Sequence, residues 1–192
     1  MPLDLAALTD GELAALSLAG RQAAFGEIVR RNREPLFRLA RPHVGDADEA
    51  LDVVQEAFVS AHRHLDRYDP ERPLRTWLSA ITLNKCRDWA RRRRVRRFLA
   101  FAVPLDEAAA GQLPDPAPAP DEEVASRAAL ARVTRAIAAL PDRLKEVLIL
   151  RTIEGLSQAE TAGLLRVSEK AVETRLHRAR GKLAEALAGD EG

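Results

Sequence analysis

The sequence predicts an all-α protein, two small helical domains joined by a flexible, acidic, proline-rich linker, and three observations carry that prediction. Apolar residues make up 46% of the 192, mostly Ala and Leu, with 4% aromatic residues. Such a composition suits helices packed through small side chains better than a β-sandwich. Apolar positions recur at helical spacing at both ends of the chain, and no stretch alternates strongly enough for a strand. Between the ends the composition changes: residues 104–123, PLDEAAAGQLPDPAPAPDEE, hold five prolines, six carboxylates and no basic residue. With few large apolar groups to bury, that stretch reads as an extended tether. The expected division is a first domain over 1–98, a linker over 99–124 and a second domain over 125–188.

Element by element, Thr9 with Glu12 has the form of a capping box, and Gly20 that of a helix stop. AAFGEIVRRNREPLFRLA places Phe25, Ile28, Val29, Leu36, Phe37 and Leu39 close to one helical stripe. Pro35 lies inside that stripe and predicts a kink or a break. The next helix, capped by Asp46 or Asp48, is expected to run to about Leu65. DRYDPERP reads as a loop, because Pro70 and Pro73 cannot both sit in a regular helix. Thr76 is the expected cap of the helix that follows. That helix carries both tryptophans, Trp77 and Trp89, and ends in six arginines within seven residues, Arg91 to Arg97. Periodicity returns near Val124 with ASRAALARVTRAIAAL, breaks at Pro141, and continues through DRLKEVLILRTIE. Two short helices across SQAETAGLLRVSEKAVETRLHRARGKLAEAL complete the chain.

A formal net charge of +1 means that attraction to nucleic acid must come from local clustering. The arginine block is such a cluster, and it repels itself unless something negative lies alongside. The single cysteine, Cys86, excludes an internal disulfide framework and a multi-cysteine zinc site. Asp4, Asp10 and Glu12 interrupt the first apolar residues and no basic segment precedes them, so no signal peptide is expected. No run approaches the roughly 18 apolar residues of a membrane span. The expectation is a cytoplasmic protein without membrane insertion.

GLSQAETAGLLRVSEKAVETRLHRARGKL has the form of a helix-turn-helix. Ser157 caps the first helix, whose Ala162 and Leu165 face inward. Ser168 caps the second, which packs through Val172 and Leu176 and leaves Lys170, Glu173, Thr174, His177, Arg178 and Lys182 on outward faces. A helix so exposed fits a DNA major groove, with its N-terminal half at base edges and its later cations at phosphates. Any helical hairpin with a solvated charged face shares the pattern. Arg166 stands at the turn position often filled by glycine, where a left-handed conformation costs about 1 kcal/mol. In DVVQEAF, Asp52, Gln55 and Glu56 lie near one helical face. That face suits a partner helix, a metal site for nuclease chemistry built from Asp46, Asp48, Glu49, Asp52 and Glu56, or plain solvation.

DEALDVVQEAF, RYDPERPLRTWLSAITLNKCRDWARRRR and LPDRLKEVLILRTIEGLSQAETAGLLRVSEKAVETRLHRAR follow one another, with the acidic linker before the last. As an ordered set they resemble the sigma-70 family, and specifically its minimal two-domain members, the extracytoplasmic-function sigma factors, over roughly residues 20 to 187. The resemblance implies a promoter-specificity subunit that binds bacterial core RNA polymerase, recognises the −10 and −35 promoter elements and helps to melt promoter DNA. It implies no enzyme, cofactor or metal. Asp52, Gln55, Glu56 and Phe58 become candidates for docking on the clamp helices of the polymerase largest subunit. The RYDPERP loop and the following helix resemble the element that captures the non-template strand of the −10 region, with Tyr68, Arg75, Trp77, Asn84, Lys85, Asp88, Arg91 and Arg92 as candidate contacts. The second domain is similar to the one that reads the −35 duplex, with Ser168, Lys170, Glu173, Thr174, Arg175, His177 and Arg178 as candidates. An anti-sigma factor, wedged between the domains or wrapped around them, and a stress-response set of genes are also implied. In relatives the linker threads polymerase channels, although a plain tether has the same composition. Leu74 stands where the family is more often aromatic and Thr161 where it more often has Ile or Val. Glu173 stands where many relatives have Lys or Arg; a carboxylate there favours cytosine.

Strand capture requires cations along the backbone and surfaces on which bases stack. The arginine block meets the first need, while Trp77 and Trp89 read mainly as core. Cys86 is a redox candidate only if Lys85 and Arg87 stabilise its thiolate; otherwise it is an inert, half-buried thiol. His43, His62 and His64 show no metal-ligand spacing, and neither a Ser-His-Asp set nor a Gly-rich phosphate loop is present. Two rival functions follow from the residues. A helix-turn-helix regulator would bind duplex alone, usually as a dimer, and a nuclease would need magnesium at the Asp46–Glu56 carboxylates.

Overall fold

The computed structural model describes the backbone of residues 3–102 and 121–189. Among these residues lie eight α-helices: α1 (Asp10–Leu18), α2 (Gln22–Val44), α3 (Ala47–Arg63), α4 (Leu74–Ala102), α5 (Asp121–Ala139), α6 (Asp142–Thr152), α7 (Gln158–Leu165) and α8 (Glu169–Ala188). Thr9 and Glu12 form a full capping box, the Thr9 N–H donating to the glutamate at 2.7 Å. Gly20 leaves α1 at a φ of 90°, which favours glycine. Asp46 caps α3, accepting from the N–H groups of Asp48 and Glu49.

Three local expectations are corrected. Pro35 and Pro42 do not break α2, which runs uninterrupted from Gln22 to Val44. Each proline removes one backbone bond, but the fully buried Leu36, Leu39 and Ala40 hold this stretch on its neighbours. Helix α3 stops at Arg63, and Leu65–Arg67 form a 3-10 turn. Thr76 does not cap α4: the helix starts at Leu74, and the Thr76 N–H donates to the Pro73 carbonyl at 3.0 Å. The linker also begins and ends in helix, because α4 continues to Ala102 and α5 starts at Asp121. The rest of the expected linker, 103–120, lies outside the described residues.

Helices α2, α3 and α4 pack on one another, with α1 against α2; α6, α7 and α8 form a second group. The groups touch. Ile149 and Leu150 of α6 belong to the same buried cluster as Leu36, Leu39, Leu78 and Leu83, and Leu156, Leu164 and Leu165 pack against it. Helix α6 is therefore enclosed on three sides. Leu148 meets Ala179 of α8, Val147 meets Ala162 and Val172 of the helix-turn-helix, and Ile149 and Leu150 meet the first group.

Candidate nucleic-acid and polymerase interface

The α3 stripe decides what its polar face presents. Ala50, Val53, Val54, Ala57, Phe58 and Ala61 are buried, which turns Asp52, Gln55 and Glu56 to solvent. Phe58 is only 6% exposed and meets Phe25 edge-on at 6.5 Å. Phe58 therefore holds α3 in place and does not itself face a partner. Glu56 lies 3.7 Å from Lys85 and 3.4 Å from Arg92. The polymerase-facing and strand-facing candidates thus share one edge, where a groove of about 560 Å³ is lined by Asp52, Glu56, Trp89, Arg91, Arg92 and Arg96 among others.

The arginine block has partial neutralisation. Arg91 pairs with Asp88 at 2.7 Å, Arg92 with Glu56, and Arg93 lies 5.0 Å over the Trp89 ring while donating to the Val44 carbonyl. These groups are exposed, so the pairs hold the side chains weakly. Asn84 and Asp88 are also exposed, and Lys85 is half-buried. Trp89 is 8% exposed, a core residue; Trp77 is half-buried and tilted against Tyr68 at 5.6 Å. Tyr68 is 8% exposed, and its hydroxyl donates to the Arg72 carbonyl at 2.7 Å, closing the RYDPERP loop on itself. Its ring is packed inside and offers no stacking surface in this conformation.

At the other end, Ser157 and Glu160 make a second capping box and Ser168 accepts from the Ala171 N–H. Arg166 adopts the left-handed conformation, φ 55° and ψ 49°, at the turn. Lys170, Glu173, Thr174, His177, Arg178 and Lys182 are all exposed, with Lys170 and Glu173 paired at 2.9 Å and the Thr174 hydroxyl donating to the Lys170 carbonyl. Arg175 differs. It is half-buried and faces a cleft that it lines together with Arg87, Arg143 and Glu146.

That cleft contains the residues missed by sequence reasoning. Arg87 of α4 makes a two-pronged pair with Glu146 of α6, at 2.6 and 2.8 Å, and Arg75 meets Glu154 at 2.5 Å. Nothing in the spacing of α6 marks Glu146 as buried, since its partner stands 59 positions away. Lys145, also buried, lies 3.8 Å from Asp142, and burial lowers its pKa. The His43 Nε2 is sealed from solvent with no partner among the described residues. Burial, then the nearby Lys145 and Arg87, hold that imidazole down to about 3. Burial and then Glu146 push the Cys86 thiol up to about 12, so Cys86 is an inert thiol rather than a poised thiolate. Among the described residues no helix is long and apolar enough to cross a membrane.

Comparison with known proteins agrees with this layout. Residues 28–96 match the family model of sigma-70 region 2, and residues 130–183 that of sigma-70 region 4. The RNA polymerase sigma factor CnrH of Cupriavidus metallidurans is 44% identical over 182 residues, covering 94% of this chain and 95% of CnrH. The ECF RNA polymerase sigma factor SigM of Mycobacterium tuberculosis is 34% identical, covering 93% of this chain and 85% of SigM. Among solved structures, that of CnrH in complex with the cytosolic domain of CnrY aligns with a TM-score of 0.69 at 37% identity, covering 94% of this chain and 98% of the other. The chain belongs to the sigma-70 family of RNA polymerase sigma factors, within its extracytoplasmic-function group.

Proposed function

We propose that the chain docks on core RNA polymerase through Asp52, Gln55 and Glu56, captures the −10 strand along α4, and reads the −35 duplex with α8. The division of labour follows the proposed domains, 1–98 and 125–188, with the linker between them. The observation that carries this reading is the row on α8. Lys170, Glu173, Thr174, His177 and Arg178 are exposed on a helix whose N-terminus is capped by Ser168, with Val172 and Ala179 buried behind them. Such a helix presents base-reading groups first and phosphate-binding cations later. Along α4, Asn84, Asp88, Arg91 and Arg92 offer an exposed polar and cationic track for a single strand.

The chain works in the cytoplasm, supplies no catalytic group of its own, and is held in check by an anti-sigma factor. The alignment with CnrH, solved with the cytosolic domain of CnrY, supports such a partner. The nuclease alternative loses support from the geometry. Asp46 is committed to two backbone N–H groups and Glu56 faces Lys85 and Arg92, so these carboxylates do not converge. The test is co-purification with core RNA polymerase followed by run-off transcription on a genomic promoter library. Stoichiometric binding with discrete new start sites is expected. Failure to bind the core enzyme would remove the basis of the −10 and −35 assignments.

A further inference from the structure

Capture of a single strand needs flat surfaces for bases as well as cations for phosphates, and the aromatic residues described above do not provide them. Tyr68 and Trp89 are each 8% exposed, and Trp77 is half-buried against Tyr68. Among the described Phe, Tyr and Trp side chains, only Phe98 is exposed, at 75%. A ring left in water forgoes the burial that usually holds such a residue in a core. Phe98 lies on α4, just past residues 28–96, the part matched by sigma-70 region 2.

Its place on the helix points to a partner. Asn84, Asp88, Arg91, Val95 and Phe98 recur at intervals of four or three residues, which keeps them on one face of α4. All five are exposed, whereas Leu83, Cys86 and Trp89 turn inward. The face assigned to the strand therefore runs on from its polar part into a small apolar patch, in which Val95 is 53% exposed. From Asn84 to Phe98 the helix rises about 21 Å at roughly 1.5 Å per residue, room for about six stacked nucleotides at roughly 3.4 Å each. Arg91, Arg92, Arg94 and Arg96 are exposed around the patch, and Val95 lines the same groove as Arg91, Arg92 and Arg96. An apolar patch set within a cationic block suits a partner that carries rings and negative charge together, as a nucleic-acid strand does.

We propose that Phe98 is a base-stacking contact for single-stranded DNA, an aromatic platform at the end of the α4 track. Val95 widens the platform, and the flanking arginines hold the phosphates on either side of the stacked base. The proposal rests on the assignment of α4 to strand capture. Because every base has a π-face, Phe98 adds affinity for a strand without choosing its sequence.

The experiment is fluorescence anisotropy of the full chain at low salt with two fluorescein-labelled single strands of equal length. One has a mixed sequence, and the other carries abasic sites in place of its bases. Phe98→Ala should weaken binding to the mixed strand about tenfold and leave binding to the abasic strand unchanged. Phe98→Trp should bind as wild type does, while Phe98→Leu, apolar but without a π-face, should behave as Phe98→Ala. Undiminished binding of the mixed strand by Phe98→Ala overturns the proposal, as does an equal loss on both strands or full binding by Phe98→Leu. If Phe98→Ala keeps its strand affinity but co-purifies less with core polymerase, the residue belongs to a protein contact instead. R91A/R92A tests the underlying assignment separately. A loss on both strands supports the role of α4, whatever Phe98→Ala does. No loss with R91A/R92A, or no strand binding by the wild-type chain, removes that role and the Phe98 contact with it. If Phe98→Ala fails to fold by circular dichroism, Phe98→Leu against Phe98→Trp decides alone: weaker binding of the mixed strand by the leucine variant supports stacking, and equal binding refutes it.

Discussion

Helices α3 and α6 are both charged and each packs against two or more helices, yet they bury themselves in opposite ways. Helix α3 shows one apolar stripe, and its acids, Asp52 and Glu56, are exposed. Helix α6 buries six consecutive residues from Lys145 to Leu150, two of them charged. A helix enclosed on one side keeps the period of its face in its sequence. One enclosed on three sides does not, because every direction has become interior. The lesson is that exposure of a charge in this protein depends on how many neighbours its helix has acquired, and α6 acquired a neighbour from a distant part of the chain.

Five substitutions, one of them followed across a pH series, would break or sharpen that comparison. The largest effect is expected for Ile149→Asp, which places a carboxylate in the fully buried cluster shared by the two halves. It should cost about 4 kcal/mol in urea denaturation; a loss below about 1 kcal/mol would mean that the halves do not share a core. Acidification should come next. The His43 imidazole is held near 3, against an ordinary value of 6.5, with Lys145 and Arg87 the cations beside it and Asp142 and Glu146 pairing those cations. Because the folded value is depressed, the unfolded chain takes up the proton first. Stability is therefore unaffected above about pH 6.5 and declines as pH falls towards 3, by about 2 kcal/mol at pH 5 at 1.36 kcal/mol per unit. The melting temperature of His43→Gln should show a visibly flatter dependence between pH 7 and 5.

Ser157→Ala should weaken α7, whose Ala162 backs Val147 of α6, by about 1 kcal/mol through loss of the cap. Arg166→Gly should instead stabilise the fold by up to about 1 kcal/mol, since glycine adopts the left-handed turn without strain. The smallest effect on stability is expected at Asp52→Ala on exposed α3, within about 0.5 kcal/mol. That same change should weaken binding to core polymerase about tenfold in a pull-down titration. A destabilised fold with unchanged polymerase binding would assign Asp52 to structure.

Much of this molecule is legible in its sequence. The capping box at Thr9, the Ser157 and Ser168 caps, the left-handed Arg166 and the inward Val172 follow from local hydrogen bonding and helical period, which act over four residues or fewer. The outward row on α8 follows from the same period. Errors arose where local rules were too strict or too short in range. Pro35 stayed in a helix because its neighbours are buried, and Thr76 yielded the start of α4 to Leu74. Tyr68 and Phe58 carry types suited to a binding surface, but packing turned both inward.

The sequence alone determined the helices, the acidic division between them, and the ordered segments that place the chain among sigma factors, since each depends on residues close together in the chain. Only the tertiary structure decided which charges are free. Arg87 and Arg91 stand four positions apart on one helix, yet one is held by Glu146 and the other by Asp88 at the surface. The difference arises from α6 packing on α2, which brings Glu146 to Arg87, a contact between residues 59 positions apart that no local pattern encodes. Burial then fixes the rest, raising the thiol of Cys86 and silencing His43, because desolvation depends on everything that surrounds a group.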